Sequence, residues 1–161
     1  MKMSWPLIHL TMNHFPIVGT FVGILFWAVA LIKKDRGLQA LCLYFLILVA
    51  VLTIPAYISG DPTGEAVEKL SCITKGAIDA HNDAGEISFG IIAALGACAL
   101  AGLIAFRKKA AYPGWFRNGI LALMLVAAVS VAWTAWLGGK IHHQEIHEGL
   151  PPAAQTSMPA H

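Results

Sequence analysis

The chain has 161 residues, of which 57% are apolar and only 12% charged, with a formal net charge of +2. Soluble domains carry about 25% charged residues, so this composition argues against a soluble globular protein. With no broad basic patch, it also argues against nucleic acid as a partner.

Four long apolar runs follow in order: Phe15 to Ile32, Leu38 to Ile58, Ile87 to Phe106 and Ile120 to Leu137. Each approaches the roughly 20 residues that a helix needs to cross about 30 Å of hydrocarbon. They contain no acidic or basic residue except Glu86, which borders the third. A soluble helix bundle would show a polar stripe on each helix, and none is visible. The expected fold is therefore all-α: an integral membrane four-helix bundle, up-down-up-down, over residues 1–144. Residues 145–161, rich in Pro and Ala, are expected to form a disordered tail.

The first run follows a polar stretch holding His9 and His14 and lacks a small-residue cleavage site after Ile32, so it reads as a retained helix. Two versions of its start are open. Asn13 could be the N-cap with His14 as the first helical residue and Pro16 in the first turn. Alternatively the helix begins near Pro6 and kinks at Pro16. Gly19 and Gly23 form a G-x-x-x-G step that suits close helix packing or, on a functional reading, clearance for a flat cofactor.

Pro55 is expected to end or kink the second helix before the turn signal Ser59-Gly60-Asp61-Pro62, and Thr63 to Leu70 suits a short surface helix. The third helix is expected to begin around Ile78 to Asn82. Asp79 and Asp83 there complement its dipole, and Glu86 could hydrogen-bond a ligand histidine. The fourth is expected to end at Gly138-Gly139, a natural break. His142, His143 and His147 follow, the last two one helical turn apart on a metal-compatible spacing.

The three cysteines form no C-x-x-C and no C-x-x-C-H, which argues against covalent c-type haem attachment. Cys42 and Cys98 read as small core residues, and Cys72 falls in a loop. The short segments Lys33-Lys34-Asp35-Arg36 and Arg107-Lys108-Lys109, with Arg117, are basic. The positive-inside rule places them in the cytoplasm and both termini in the periplasm. Trp5, Trp133 and Trp136 would mark the periplasmic border, Tyr112 and Trp115 the cytoplasmic one.

On this topology His9, His14, His81, His142, His143 and His147 all fall at one membrane face; His161 ends the chain. Ionisable residues at membrane depth tend to mark function, although any single one could be an interfacial residue that binds nothing. The first and third helices of such a bundle are diagonal and co-directional, so His14 and His81 are expected to face each other, as axial ligands of a b-type haem do. Asn13, Asp83 and Glu86 are candidates to orient the imidazoles. His9 with His142 or His143 could supply a second haem or a zinc, copper or iron site.

The stretch Ile8-His9-Leu10-Thr11-Met12-Asn13-His14-Phe15-Pro16-Ile17 resembles the amino-terminal signature, His-Pro-x-x-x-His-Phe-Pro, of a family of small bacterial inner-membrane proteins of unknown function. Leu10 stands where that family usually has proline. Thr63-Gly64-Glu65-Ala66, His81 and Gly138-Gly139 are similar to later segments of the family. It usually carries an aromatic residue and a histidine shortly after the glycine pair, where this chain has His142-His143. The resemblance implies a four-helix fold and an inner-membrane location.

The function expected is electron transfer by a periplasm-facing haem b protein. The alternatives are histidine-based binding or transport of a divalent metal ion, and a non-catalytic subunit of a membrane redox complex. Expected partners are the lipid bilayer, other redox proteins or a quinone, and a second copy of the chain.

Overall fold

A computed structural model of the chain describes residues 5–68 and 75–142, without the side chains of Val67 and His142. The described residues are all helical apart from short connections. In order they are α1 (Trp5–Met12), α2 (His14–Ile32), α3 (Arg36–Ile58), α4 (Gly60–Glu68), α5 (Lys75–Ala105) and α6 (Gly114–His142). Four helical stretches among them, Trp5–Ile32, Arg36–Ala66, Lys75–Ala105 and Gly114–Ile141, are long and apolar enough to cross a membrane.

Their outer faces are apolar. Ile32 is 80% exposed, Val129 72% and Ile87 63%. A helix that is hydrophobic all round belongs in a core or in lipid. The inner faces build one core, in which Trp27, Leu43, Leu46, Ile92, Met124 and Ala127 are buried. α2 packs on α3 and α6, and α5 packs on the same two, so α2 and α5 lie on a diagonal.

Small residues set the approach of the helices. A Cβ on Gly19 would come within 2.7 Å of Val49 Cγ2, and one on Gly23 within 3.0 Å of Leu46 Cδ2. The G-x-x-x-G step is thus filled by α3 side chains rather than by clearance for a cofactor. Two buried hydroxyls bond within their own helices: Thr20 Oγ1 donates to Pro16 O (2.6 Å) and Thr53 Oγ1 to Val49 O (2.8 Å). That is what a medium without water demands of polar groups.

At one end, Arg36 ties the start of α3 to the close of α5. Its Nε donates to Lys109 O and its Nη2 to Phe106 O, both at 2.9 Å, and its guanidinium lies 4.5 Å from the centre of the Tyr112 ring. A cation on carbonyls just past a helix C-terminus is favourable. Arg36→Ala is expected to cost about 1–2 kcal/mol, from the lost charge-assisted hydrogen bonds and the cation–π contact. Chemical denaturation in detergent, with Lys108→Ala as the control, checks this.

Several helix limits differ from the sequence expectations. The break in the first span falls at Asn13, not at Pro16. Proline clashes with the carbonyl four residues earlier, which here is that of Met12, the last residue of α1. Asn13 stands at the N-cap position with helical φ and ψ and makes no side-chain cap. α3 passes through Pro55 to Ile58, and the expected turn at 59–62 is instead a single residue, Ser59, before α4 starts at Gly60. α5 is already helical at Lys75, and α6 runs through Gly138-Gly139 to His142. Cys42 is buried but Cys98 is exposed on the outer face, so it is not a core residue. Tyr112, in the connection between α5 and α6, is buried beneath the Arg36 guanidinium. Cys72, Leu70 and residues 143–161 lie outside the described residues.

Candidate functional site: a histidine pair at one end of the bundle

Two histidine rings meet at the end opposite Arg36. His9, on α1, and His81, near the start of α5, have ring centroids 6.2 Å apart and planes at 84°. Each is anchored through Nδ1. His9 Nδ1 donates to Ala56 O (3.0 Å) and lies 3.2 Å from Ser59 Oγ, whose own hydroxyl donates to the same carbonyl. His81 Nδ1 donates to Thr134 O at 3.0 Å.

These anchors fix the tautomer. A carbonyl only accepts, so Nδ1 carries the proton and Nε2 of the neutral ring keeps its lone pair. A backbone carbonyl on the far nitrogen is the usual partner of a metal-ligating histidine.

The glycine pair that looked like a helix stop serves this geometry. A Cβ on Gly138 would lie 3.0 Å from His81 Cε1 and 3.2 Å from its Nδ1. The bare backbone lets the imidazole lie close against α6 while it donates to the carbonyl of Thr134, one turn below. On the other side, Gly60 of α4 approaches His9, with a Cβ position 3.8 Å from His9 Cε1.

The α5–α6 seam beneath His81 is sewn by hydroxyls. Thr134 Oγ1 donates to Ala84 O (3.0 Å). Ser88 Oγ lies 2.8 Å from Thr134 Oγ1 and 2.6 Å from Ser130 Oγ. This cluster, absent from the sequence reading, holds the residue whose carbonyl anchors His81. Ser88, Ser130 and Thr134 were visible only as isolated polar residues in apolar runs.

His14 stands apart from the pair. It is exposed, and its Nδ1 donates to Leu10 O at 2.7 Å. His9, not His14, is the histidine of the first span that lies beside His81. The two are five residues apart, which turns them by about 140° around a helix of 3.6 residues per turn, so one inward ring implies an outward other. The expected orienting residues are not used either. Among the described residues, the exposed Asp83 and Glu86 make no hydrogen bond to a histidine, and the buried Asn13 Oδ1 has no partner. His142 is the last residue of α6, one turn beyond Gly138; its side chain, His143 and His147 lie outside the described residues.

Among the described residues no group of three or more His, Cys, Asp or Glu is placed to hold a metal ion. The donor set on view is therefore two imidazoles from different helices, each with its second nitrogen anchored. Comparison of the chain with known protein families, with curated proteins and with solved structures gives no match.

Proposed function

We propose that the chain is a four-pass bacterial inner-membrane protein, up-down-up-down with both termini periplasmic, and that His9 and His81 are the axial pair of a b-type haem used in electron transfer. The observation that carries the reading is the pairing of the two rings across 6.2 Å with both Nδ1 protons on carbonyls. His9 and His81 would hold the iron through Nε2, the nitrogen that their carbonyl anchors leave without a proton. The basic segments at the opposite end support the orientation through the positive-inside rule.

The size of the donor set favours haem iron over a bare ion. A protein zinc site takes three or four protein ligands, whereas a macrocycle brings four of its own and leaves two axial positions. When bound, the group supplies one-electron chemistry. The chain's residues fix ring tautomer and direction through Ala56, Ser59 and Thr134, and the apolar bundle keeps water away from that end.

A divalent ion is the second reading, favoured by the continuation of α6 past Gly138 to His142, one turn beyond the glycine that approaches His81. One experiment separates the two: absorption spectra, oxidised and reduced, with metal analysis, on protein purified after haem-sufficient expression. The expected result is a Soret band that sharpens and shifts on reduction, with iron bound. Stoichiometric zinc or copper without a Soret band would replace the first reading by the second, and neither metal nor band overturns both.

A further inference from the structure

Beside the histidine pair, a crevice opens between α5 and α6 toward the lipid-facing side. Its volume is about 350 Å³, and Asp83, Ala84 and Ile87 line one wall, Ser130, Trp133 and Leu137 the other. Ile87 begins and Leu137 ends the apolar runs of their helices, so the crevice lies at the membrane border. Trp133 is 56% exposed and packs against Trp136 with centroids 4.8 Å apart.

The hydroxyl seam behind the crevice has a direction. Two carbonyls, acceptors only, lie within reach of the Thr134 hydroxyl, Ala84 O at 3.0 Å and Ser130 O at 3.1 Å, and its single proton goes to one of them. Thr134 Oγ1 must then accept from Ser88, and Ser88 Oγ from Ser130. Ser130 donates inward, which leaves its oxygen as an acceptor on the crevice side. The other polar group, the Asp83 carboxylate, is also an acceptor. Two acceptors on an apolar, tryptophan-flanked wall select a flat apolar ligand with two hydrogen-bond donors, and they repel phosphates and carboxylates. An acyl chain would leave both acceptors unused.

We propose that this crevice binds the ring of a membrane quinol, with its hydroxyls donating to Ser130 Oγ and the Asp83 carboxylate. The ligand then bonds to the same hydroxyl chain that positions Thr134, and through it His81. The electron-accepting role of the neighbouring centre rests on the reading above; the binding itself does not.

The test is an anaerobic titration of the detergent-solubilised protein, with and without haem, with a decyl-substituted benzoquinol, its quinone and its dimethyl ether, followed by tryptophan fluorescence. Saturable quenching is expected for the quinol, about tenfold tighter than for the quinone or the ether, because each lacks the donors the acceptors require. Trp133→Phe should remove most of the signal. Ser130→Ala and Asp83→Leu should each weaken binding several-fold; Asp83 is exposed and makes no side-chain hydrogen bond among the described residues, so its variant keeps the fold. Equal, non-saturating quenching by all three compounds, meaning partition into detergent, would overturn the proposal. So would a co-purifying phosphatidylethanolamine that the quinol fails to displace. Saturable binding to protein that never shows a Soret band would sink the haem reading and leave the crevice standing, while a Soret band with no saturable binding does the reverse.

Discussion

His81→Ala is expected to remove the Soret band altogether, His9→Ala to reduce it at least tenfold, and His14→Ala to leave it intact. His81 has an inward ring, a carbonyl anchor and a glycine platform; His14 has an exposed ring bonded to its own helix. A graded version of the same test is Gly138→Ala. The new methyl would sit 3.0 Å from His81 Cε1, and α6 is held in place by the Ser88–Ser130–Thr134 hydroxyls. The ring must therefore give by a few tenths of an ångström, which loosens its bond to the Thr134 carbonyl. Second-nitrogen partners of a metal-bound histidine are worth about 10–100-fold in affinity, so haem occupancy should fall by a factor in that range. Alanine is about 1 kcal/mol better than glycine inside a helix, so thermal stability should hold while the centre is lost. A Soret absorbance per chain in Gly138→Ala equal to that of the parent would remove the glycine from the argument. Loss of the band in His14→Ala with retention in His9→Ala would reverse the ligand assignment.

The second large effect concerns the α3–α5 contact. A Cβ on Gly96 would lie 2.5 Å from Ala50 Cβ, with the Leu46 carbonyl oxygen behind it at 3.9 Å. Neither neighbour is a flexible side chain, so the helices must separate. Overpacking of this kind costs about 1–3 kcal/mol, and Gly96→Leu, several carbons larger, should prevent assembly of the bundle. Gly96→Ala should lower the thermal midpoint in detergent, and adding Ala50→Gly should recover most of the loss, since it removes the opposing methyl. Gly90→Ala is the control on the same helix: nothing lies within 4 Å of its Cβ position, so it should be neutral or mildly stabilising. Failure of Ala50→Gly to compensate would show that the cost lies elsewhere than in this contact.

The number of spans was legible because four uncharged runs of membrane length admit one main interpretation. Helix limits were not, because glycine and proline act through their surroundings. Gly138 has the sequence signature of a helix stop, yet its role is proximity to a ring on another helix, and no local pattern reports that. Pro55 is tolerated inside α3, which neither its own identity nor its neighbours foretold. The histidine end was legible as a cluster but not as a pair. Choosing between His9 and His14 requires the helical phase, and that depends on where Pro16 breaks the first span. Ser88, Ser130 and Thr134 lie on two helices and become a chain of hydroxyls only when α5 and α6 pack.

Among the described residues, every buried side chain of the core lies from Pro16 onward, and α1 contributes none. The core and the histidine end are therefore built by different parts of the chain. On the proposed reading, a chain lacking residues 5–12 should keep its thermal midpoint in detergent and lose the ligand that His9 supplies, and the midpoint read beside the absorption spectrum checks this.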